Sequence, residues 1–224
     1  MKSKIALTNG IIYTGNNTFI NKALLIEDEK ISAIVEDDAI PADYEKIDVE
    51  GKNICPGLID LQIYGTGDQL YSAELTIESI HQIEKLLLRQ GCTSFYLTLA
   101  TNSIDLFKKA IQIYQSAESK VSLGLHLEGP FLNPSKRGAH PAELIKEATL
   151  PILEDLIADH NGAVQMMTVA PELMHDECMA YLQAEGILLS AGHSNATFEE
   201  AKLSFDKGIK TVTHLWNAMS PLHH

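Results

Sequence analysis

Thr76-Ile-Glu-Ser-Ile-His-Gln-Ile-Glu-Lys-Leu-Leu-Leu-Arg-Gln90, then Gly91, then the run that ends Ser94-Phe-Tyr-Leu-Thr-Leu-Ala100, is the stretch that decides the fold. Ile77, Ile80, Ile83 (or Glu84) and Leu87 recur at helical spacing and form one apolar stripe. Gly91 suits the left-handed position that ends a helix, and the apolar run after it reads as a strand. The same helix–Gly–strand junction recurs at Glu185-Gly186 and Lys207-Gly208. Further apolar runs lie at 57–63, 121–127, 164–170, 187–191 and 211–215. Residues 103–116 repeat the helical pattern through Ile104, Phe107, Ile111 and Tyr114, and Thr197-Phe-Glu-Glu200 has the spacing of a capping box. A repeated strand–helix–Gly–strand unit implies parallel strands joined by right-handed crossovers. Six such strands fit part of a (β/α)8 barrel, a fold that takes about 250 residues when complete. The alternative is a doubly wound open sheet. Gly65-Thr-Gly67-Asp-Gln-Leu70 lacks the third glycine of a dinucleotide fingerprint and gives that alternative little support.

The region before Pro56 has no helical period. Short β-rich runs at 5–7, 10–13, 23–26 and 31–35 are separated by turn residues, including Asn9-Gly10 and Gly15-Asn16-Asn17. The expected organisation is therefore α/β, with a small β-sandwich segment over 1–55 and an incomplete TIM-like barrel over 56–224. The segment 132–160, punctuated by Pro134, Pro141 and Pro151, reads as a long loop followed by helices.

Of 224 residues, 45% are apolar and 21% charged, the balance of a folded globular chain. A net charge of −13 argues against nucleic acid or an anionic membrane surface as the main partner. No apolar run approaches the ~18 residues of a membrane span. Thr8-Asn9-Gly10 interrupts the N-terminal apolar run too early for a signal peptide. Cys55, Cys92 and Cys178 are odd in number and widely spaced, as in a cytoplasmic protein with reduced thiols.

Chemistry gathers at the C-terminal ends of parallel strands. Here those ends read His126-Leu-Glu128-Gly-Pro-Phe, Ser190-Ala-Gly-His193-Ser-Asn195 and Thr213-His214-Leu-Trp-Asn217-Ala-Met. One His or Glu in such a place is usually just solvated or hydrogen-bonded. Glu128, His193 and His214, each in a loop at the same end of its strand, could converge on one cation. A carboxylate and two imidazoles suit Zn²⁺ or a similar divalent ion and leave a position for water. His81, His160 and His175 read as solvated surface residues, and Trp216 as packing. Lys136-Arg137 form a small basic spot beside His140.

Pro56-Gly-Leu-Ile-Asp60, His126-Leu-Glu-Gly-Pro-Phe131, Ser190-Ala-Gly-His-Ser-Asn-Ala196 and His214-Leu-Trp-Asn-Ala-Met219 together closely resemble the N-acetylglucosamine-6-phosphate deacetylases of the amidohydrolase superfamily. The first piece is common across the superfamily, whereas the other three, in this order, are specific. The resemblance implies a barrel beside a small β-sandwich. It implies hydrolysis of the 2-acetamido group of an amino-sugar phosphate, releasing acetate and glucosamine 6-phosphate. It implies Glu128, His193 and His214 as ligands of one divalent ion, zinc first and Fe, Co or Mn as alternatives. His140 falls where the family has a substrate-contacting His that polarises the amide carbonyl. Ala139, Asn217 and Ala218 fall at sugar-phosphate contacts, for which backbone amides are suited. The family further implies a homodimer.

Gln62-Ile-Tyr64 stands where many amidohydrolases have His-x-His, so one metal is expected rather than two. Gln62 reads either as a substrate contact or as a polar residue of the barrel mouth. His126 reads either as a donor that orients Glu128 or as a satisfied interior histidine. Set against the family, the 224 residues are expected to lack strands seven and eight, an Arg that reaches the phosphate across the dimer, and the Asp that serves as general base. Taken literally, such a chain is expected to be inactive and poorly stable, binding metal or sugar phosphate without turnover. His223 and His224 fit either the family's continuation or an affinity tag. Another amidohydrolase, acting on a different amide, is the competing enzyme reading.

Overall fold

A computed structural model of the protein describes residues 3–221, and Leu222, His223 and His224 lie outside them. The chain divides into two compact units, Met1–Gly57 and Leu58–His224.

The first unit is one five-stranded sheet made of β1 (Lys4–Tyr13), β2 (Thr18–Glu27), β3 (Lys30–Glu36), β4 (Glu45–Asp48) and β5 (Asn53–Ile54). Strand order is β3-β2-β1-β4, with β5 also paired to β1. Ala6, Leu25 and Tyr44 form its small core. Two expectations change here. Asn9-Gly10 is not a turn but a bulge inside the single long strand β1: Asn9 has φ 56° and the β1–β2 register shifts between Leu7 and Gly10. A Cβ on Gly10 would stand 2.7 Å from a Val49 methyl and 2.8 Å from Ile54 Cδ1, so the bulge brings β1 against its parallel neighbours. β4 is the second change. Glu45-Lys-Ile-Asp48 has one apolar residue and all four positions are exposed, so no hydrophobic alternation marks it as a strand.

The second unit holds β6 (Leu58–Ile63), a small hairpin β7 (Gly65–Thr66) and β8 (Gln69–Leu70), α1 (Ile77–Arg89), β9 (Cys92–Ala100), α2 (Ile104–Ser116), β10 (Ser122–Glu128), α3 (Leu150–Ile157), β11 (Val164–Val169), α4 (Asp176–Ala184), β12 (Leu188–Ala191), α5 (Phe198–Asp206) and β13 (Thr211–Val212). Thr76 and Ser103 cap α1 and α2 by accepting from the amides of Ser79 and Leu106. Thr197 and Glu200 form the capping box at the start of α5. The six main strands are all parallel and lie in the order β13-β12-β11-β10-β9-β6, which is chain order without a reversal. A doubly wound sheet needs a switch point, and none exists in this order. The helices also contact one another in sequence, α1 to α2, α2 to α3 and α3 to α4, so they line one face. This is the wall of an incomplete TIM-like barrel.

Alternation along the strands separates two chemistries. Leu97, Leu99, Leu125, Leu127, Met167, Val169 and Leu189 belong to the main apolar core with the helices. Thr98, His126, Glu128, Thr168 and Ser190 alternate with them, share the other face, and are all buried. The last strand is shorter than its apolar run, because His214 (φ 45°) and Trp216 (φ 76°) turn left-handed and lead the chain out of the sheet. Trp216 is 62% exposed rather than packed, and His160 is 5% exposed rather than solvated. Burial of His160 follows from its place just after α3, where its Nε2 faces Glu185.

Candidate metal centre

Glu128 ends β10, and its 1% exposed carboxylate is the hub of the cluster. His193 and His214 follow the ends of β12 and β13 and approach it from two sides. Oε1 of Glu128 lies 3.1 Å from Nε2 of His193 and 2.6 Å from Nε2 of His214. Oε2 lies 3.4 Å from Nε2 of His140 and accepts a short hydrogen bond from the Tyr64 hydroxyl. Both His193 (φ 48°) and His214 (φ 45°) hold left-handed backbone, which a non-glycine residue adopts at a cost of about 1–3 kcal/mol. That conformation turns each side chain back over the strand ends.

The tautomers of the histidines follow from their second partners. Nδ1 of His193 lies 2.9 Å from the carbonyl of Lys136. A carbonyl only accepts, so Nδ1 carries the proton and Nε2 presents its lone pair to Oε1 of Glu128. Two acceptors facing each other require a positive charge between them, either an added proton or a cation. Burial opposes a charged His193, but Glu128 and the Lys136 carbonyl outweigh it and raise its pKa above the ordinary value. Burial likewise pushes the Glu128 carboxyl up, yet hydrogen bonds from His140, from His193 when it carries the added proton, and from Tyr64 win and hold it well below the usual carboxylate range. His140 is the opposite case. The Thr101 amide donates to its Nδ1 at 3.3 Å, so the ring proton sits on Nε2, which is a donor directed at the cluster. Glu128, His140 and His193 alone would satisfy a distance test for a cation site. The tautomers set two of these apart: His193 presents a lone pair to the cluster, whereas His140 presents a proton.

The remaining residues named from sequence lie around this hub. Ala139 is exposed in the turn 137–140, and a Cβ placed on Gly138 would stand 3.4 Å from the His193 ring and 3.9 Å from the Ala218 methyl. The turn therefore meets the loop that carries Asn217 and Ala218. Asn217 spends its backbone amide on the His214 carbonyl at 2.7 Å, and its side chain is exposed. Gln62 donates from Nε2 to the Tyr64 oxygen at 2.8 Å. His126 does not touch Glu128. Its Nδ1 lies 3.0 Å from the Leu61 carbonyl and its Nε2 2.7 Å from Thr168 Oγ1, so it is the satisfied interior histidine of the two readings.

Two supporting residues escape sequence reasoning. Tyr64 stands two residues after Gln62, which puts both on one face at the end of β6. Glu172 follows β11 in Ala170-Pro-Glu172, the same strand-end position that marks the histidines. It accepts from Asn133 Nδ2 at 2.9 Å, the Asn195 amide at 2.6 Å and Ser194 Oγ at 2.6 Å. Glu172 thus ties the loop after β10 to the loop that carries His193.

Residues 5–54 match the family described as the NagA composite domain, and residues 53–224 match the Amidohydrolase family. An N-acetylglucosamine-6-phosphate deacetylase of Haemophilus influenzae is 36% identical over 222 residues, covering 98% of this chain and 58% of the relative. The human protein of that name is 36% identical over 189 residues, covering 80% of this chain and 46% of its own length. Among solved structures, the Pasteurella multocida N-acetylglucosamine-6-phosphate deacetylase superposes with a TM-score of 0.92 at 33% identity, covering 99% of this chain and 59% of that one. A Mycobacterium smegmatis variant in complex with N-acetyl-D-glucosamine-6-phosphate superposes with a TM-score of 0.88 at 26% identity, covering 99% and 58%. The chain spans about half the length of the curated relatives it matches. With a family match over most of its length, an incomplete parallel barrel and a carboxylate–histidine cluster at the strand ends, the chain belongs to the amidohydrolase family.

Proposed function

We propose that this chain carries the metal-binding half of an enzyme that hydrolyses the N-acetyl group of N-acetylglucosamine 6-phosphate. The single observation that carries the chemistry is the convergence at the strand ends of Oε1 of Glu128 with Nε2 of His193 and of His214. The relatives' names carry the substrate. The donor set fits one divalent cation, zinc first, because oxygen and imidazole ligands suit it and the His193 tautomer leaves the ligating nitrogen bare. A cation held by Glu128, His193 and His214 would supply polarisation of the amide carbonyl and a water of lowered pKa.

The chain's own residues supply the rest. His140 directs an Nε2 proton toward the cluster, where it stabilises negative charge developing on the acetamido oxygen. Thr101 holds that tautomer through its amide. Ala139, the side chain of Asn217 and the backbone of Ala218 border the site where the turn 137–140 meets the last loop, and we assign the sugar phosphate to them. Lys136 and Arg137 add positive charge beside that border in a chain that is acidic as a whole.

The test is acetate release from N-acetylglucosamine 6-phosphate and from the unphosphorylated sugar, using zinc-loaded protein from the complete reading frame that encodes these residues. A strong preference in kcat/KM for the phosphorylated sugar is expected, together with a fall of about 10²–10³ in kcat for His140→Ala. Equal kcat/KM for the two sugars would contradict the assignment of the phosphate.

A further inference from the structure

A carboxylate has two oxygens and about four lone-pair directions, so a glutamate at a metal site can bind through one oxygen, chelate through both, or bridge two ions. The surroundings of Glu128 divide its oxygens sharply. Oε1 faces the two imidazole nitrogens, and Oε2 faces the Tyr64 hydroxyl and the Nε2 of His140. We propose that Tyr64 is a positioning residue that occupies Oε2 of Glu128 with its phenolic proton, so that the glutamate offers the metal Oε1 alone and serves a single ion. The inference rests on the metal reading above and adds to it a residue that the reading does not use.

The direction of the hydrogen bond is settled by its partners. An ionised carboxylate only accepts, so the phenol donates to Glu128. The phenol oxygen is then free to accept, and Gln62 Nε2 stands 2.8 Å away as donor. The chain therefore runs one way, from the Gln62 amide to the Tyr64 oxygen and from the Tyr64 proton to Oε2. Its backbone is pinned from the other side. The Tyr71 amide donates to the Tyr64 carbonyl at 3.1 Å, and Gly65 pairs with Leu70 in the β7–β8 hairpin. At Gly65 (φ 159°) a Cβ would stand 2.0 Å from the Gln69 carbonyl oxygen, so the hairpin closes on the residue next to Tyr64 more tightly than any side chain permits. Tyr64 is thus held on both sides, and Oε2 receives donors where a second cation would need lone pairs.

The experiment is a titration of the metal-free protein with cobalt(II), following the visible absorption. Four-coordinate cobalt absorbs strongly, and five- or six-coordinate cobalt weakly. The unsubstituted protein is expected to take one cobalt with an intense band, as three protein ligands and a water require. Tyr64→Phe is expected to take its first cobalt with a band several-fold weaker, because Oε2 is released to chelate. Gln62→Leu, which keeps the phenol but removes the group that orients it, is expected to shift the band in the same direction by less. If circular dichroism shows that Tyr64→Phe has not folded, the Gln62→Leu spectrum decides. An intense band unchanged by the substitutions would overturn this inference and leave the metal reading standing. Absence of cobalt binding by the unsubstituted protein would overturn both.

Discussion

His126 and Glu128 lie two residues apart on one face of β10, and their fates differ because of what faces each. Glu128 meets donors and is held ionised, whereas His126 meets the Leu61 carbonyl and Thr168 and is held neutral. Burial pulls the His126 pKa down from 6.5 to about 4. Between those values the unfolded chain binds a proton that the folded chain does not, so stability falls as pH drops through that window. The full effect is about 3 kcal/mol. Denaturant melts from pH 7 to pH 4 should show that loss in the parent and a smaller one in His126→Gln, and parallel curves would contradict the buried neutral histidine. At this scale Glu128, His193 and His214 were legible in the sequence from residue type and strand-end position, whereas His140, in the turn 137–140, was named only through the family resemblance. Their proton positions were not. Those depend on the Lys136 carbonyl and the Thr101 amide, which lie 57 and 39 residues away along the chain. Tyr64 was invisible for a related reason, since a phenol becomes meaningful only once the carboxylate opposite it is known.

The element that carries His193 is the loop after β12, and Gly192 sets its path. A Cβ there would stand 2.5 Å from the Thr168 methyl and 3.0 Å from Cβ of Thr213. Those two residues are themselves fixed in a buried chain of hydroxyls: Thr168 and Thr213 lie 2.7 Å apart, and Ser190 lies 2.7 Å from Thr213. Neither can yield without breaking a hydrogen bond. Gly192→Ala is expected to destabilise the protein by about 1–3 kcal/mol. It should also weaken zinc affinity by about tenfold through displacement of His193. Competition with a chromophoric chelator measures the second effect, and unchanged affinity would mean that the loop is softer than its packing implies. Most elements were readable because helices of this chain carry clear stripes and caps, as in α1 and α5. β4 was unreadable because its exposed, charged residues are set by pairing to β1 rather than by burial. β1 read as two strands because Asn9-Gly10 is a turn signal locally, and only the packing of Val49 and Ile54 against Gly10 makes it a bulge.

At the scale of the molecule, sequential strand order with helices along one face follows from the right-handed crossover rule, and that much was readable from the repeated helix–Gly–strand unit. Among the described residues the parallel sheet has two edge strands, β6 and β13. On β6, Leu58 and Ile59 are 63% and 62% exposed. An edge that combines unpaired backbone groups with exposed apolar side chains is a site of self-association. A polypeptide of these 224 residues expressed alone is therefore expected to form concentration-dependent oligomers. Leu58→Lys with Ile59→Thr should shift the population toward monomer in sedimentation velocity. A parent chain that stays monomeric at high concentration would contradict this reading of β6.

On the proposed reading, Glu128 Oε1, His193 and His214 hold one divalent ion while His140 remains a donor. The most direct measurement is an anomalous difference map at the zinc absorption edge, from crystals of the zinc-loaded protein. One peak is expected, about 2.0–2.2 Å from Glu128 Oε1 and from Nε2 of both His193 and His214, with His140 outside ligand distance. A peak ligated by His140 in place of His214, or a pair of peaks bridged by Glu128, would contradict it.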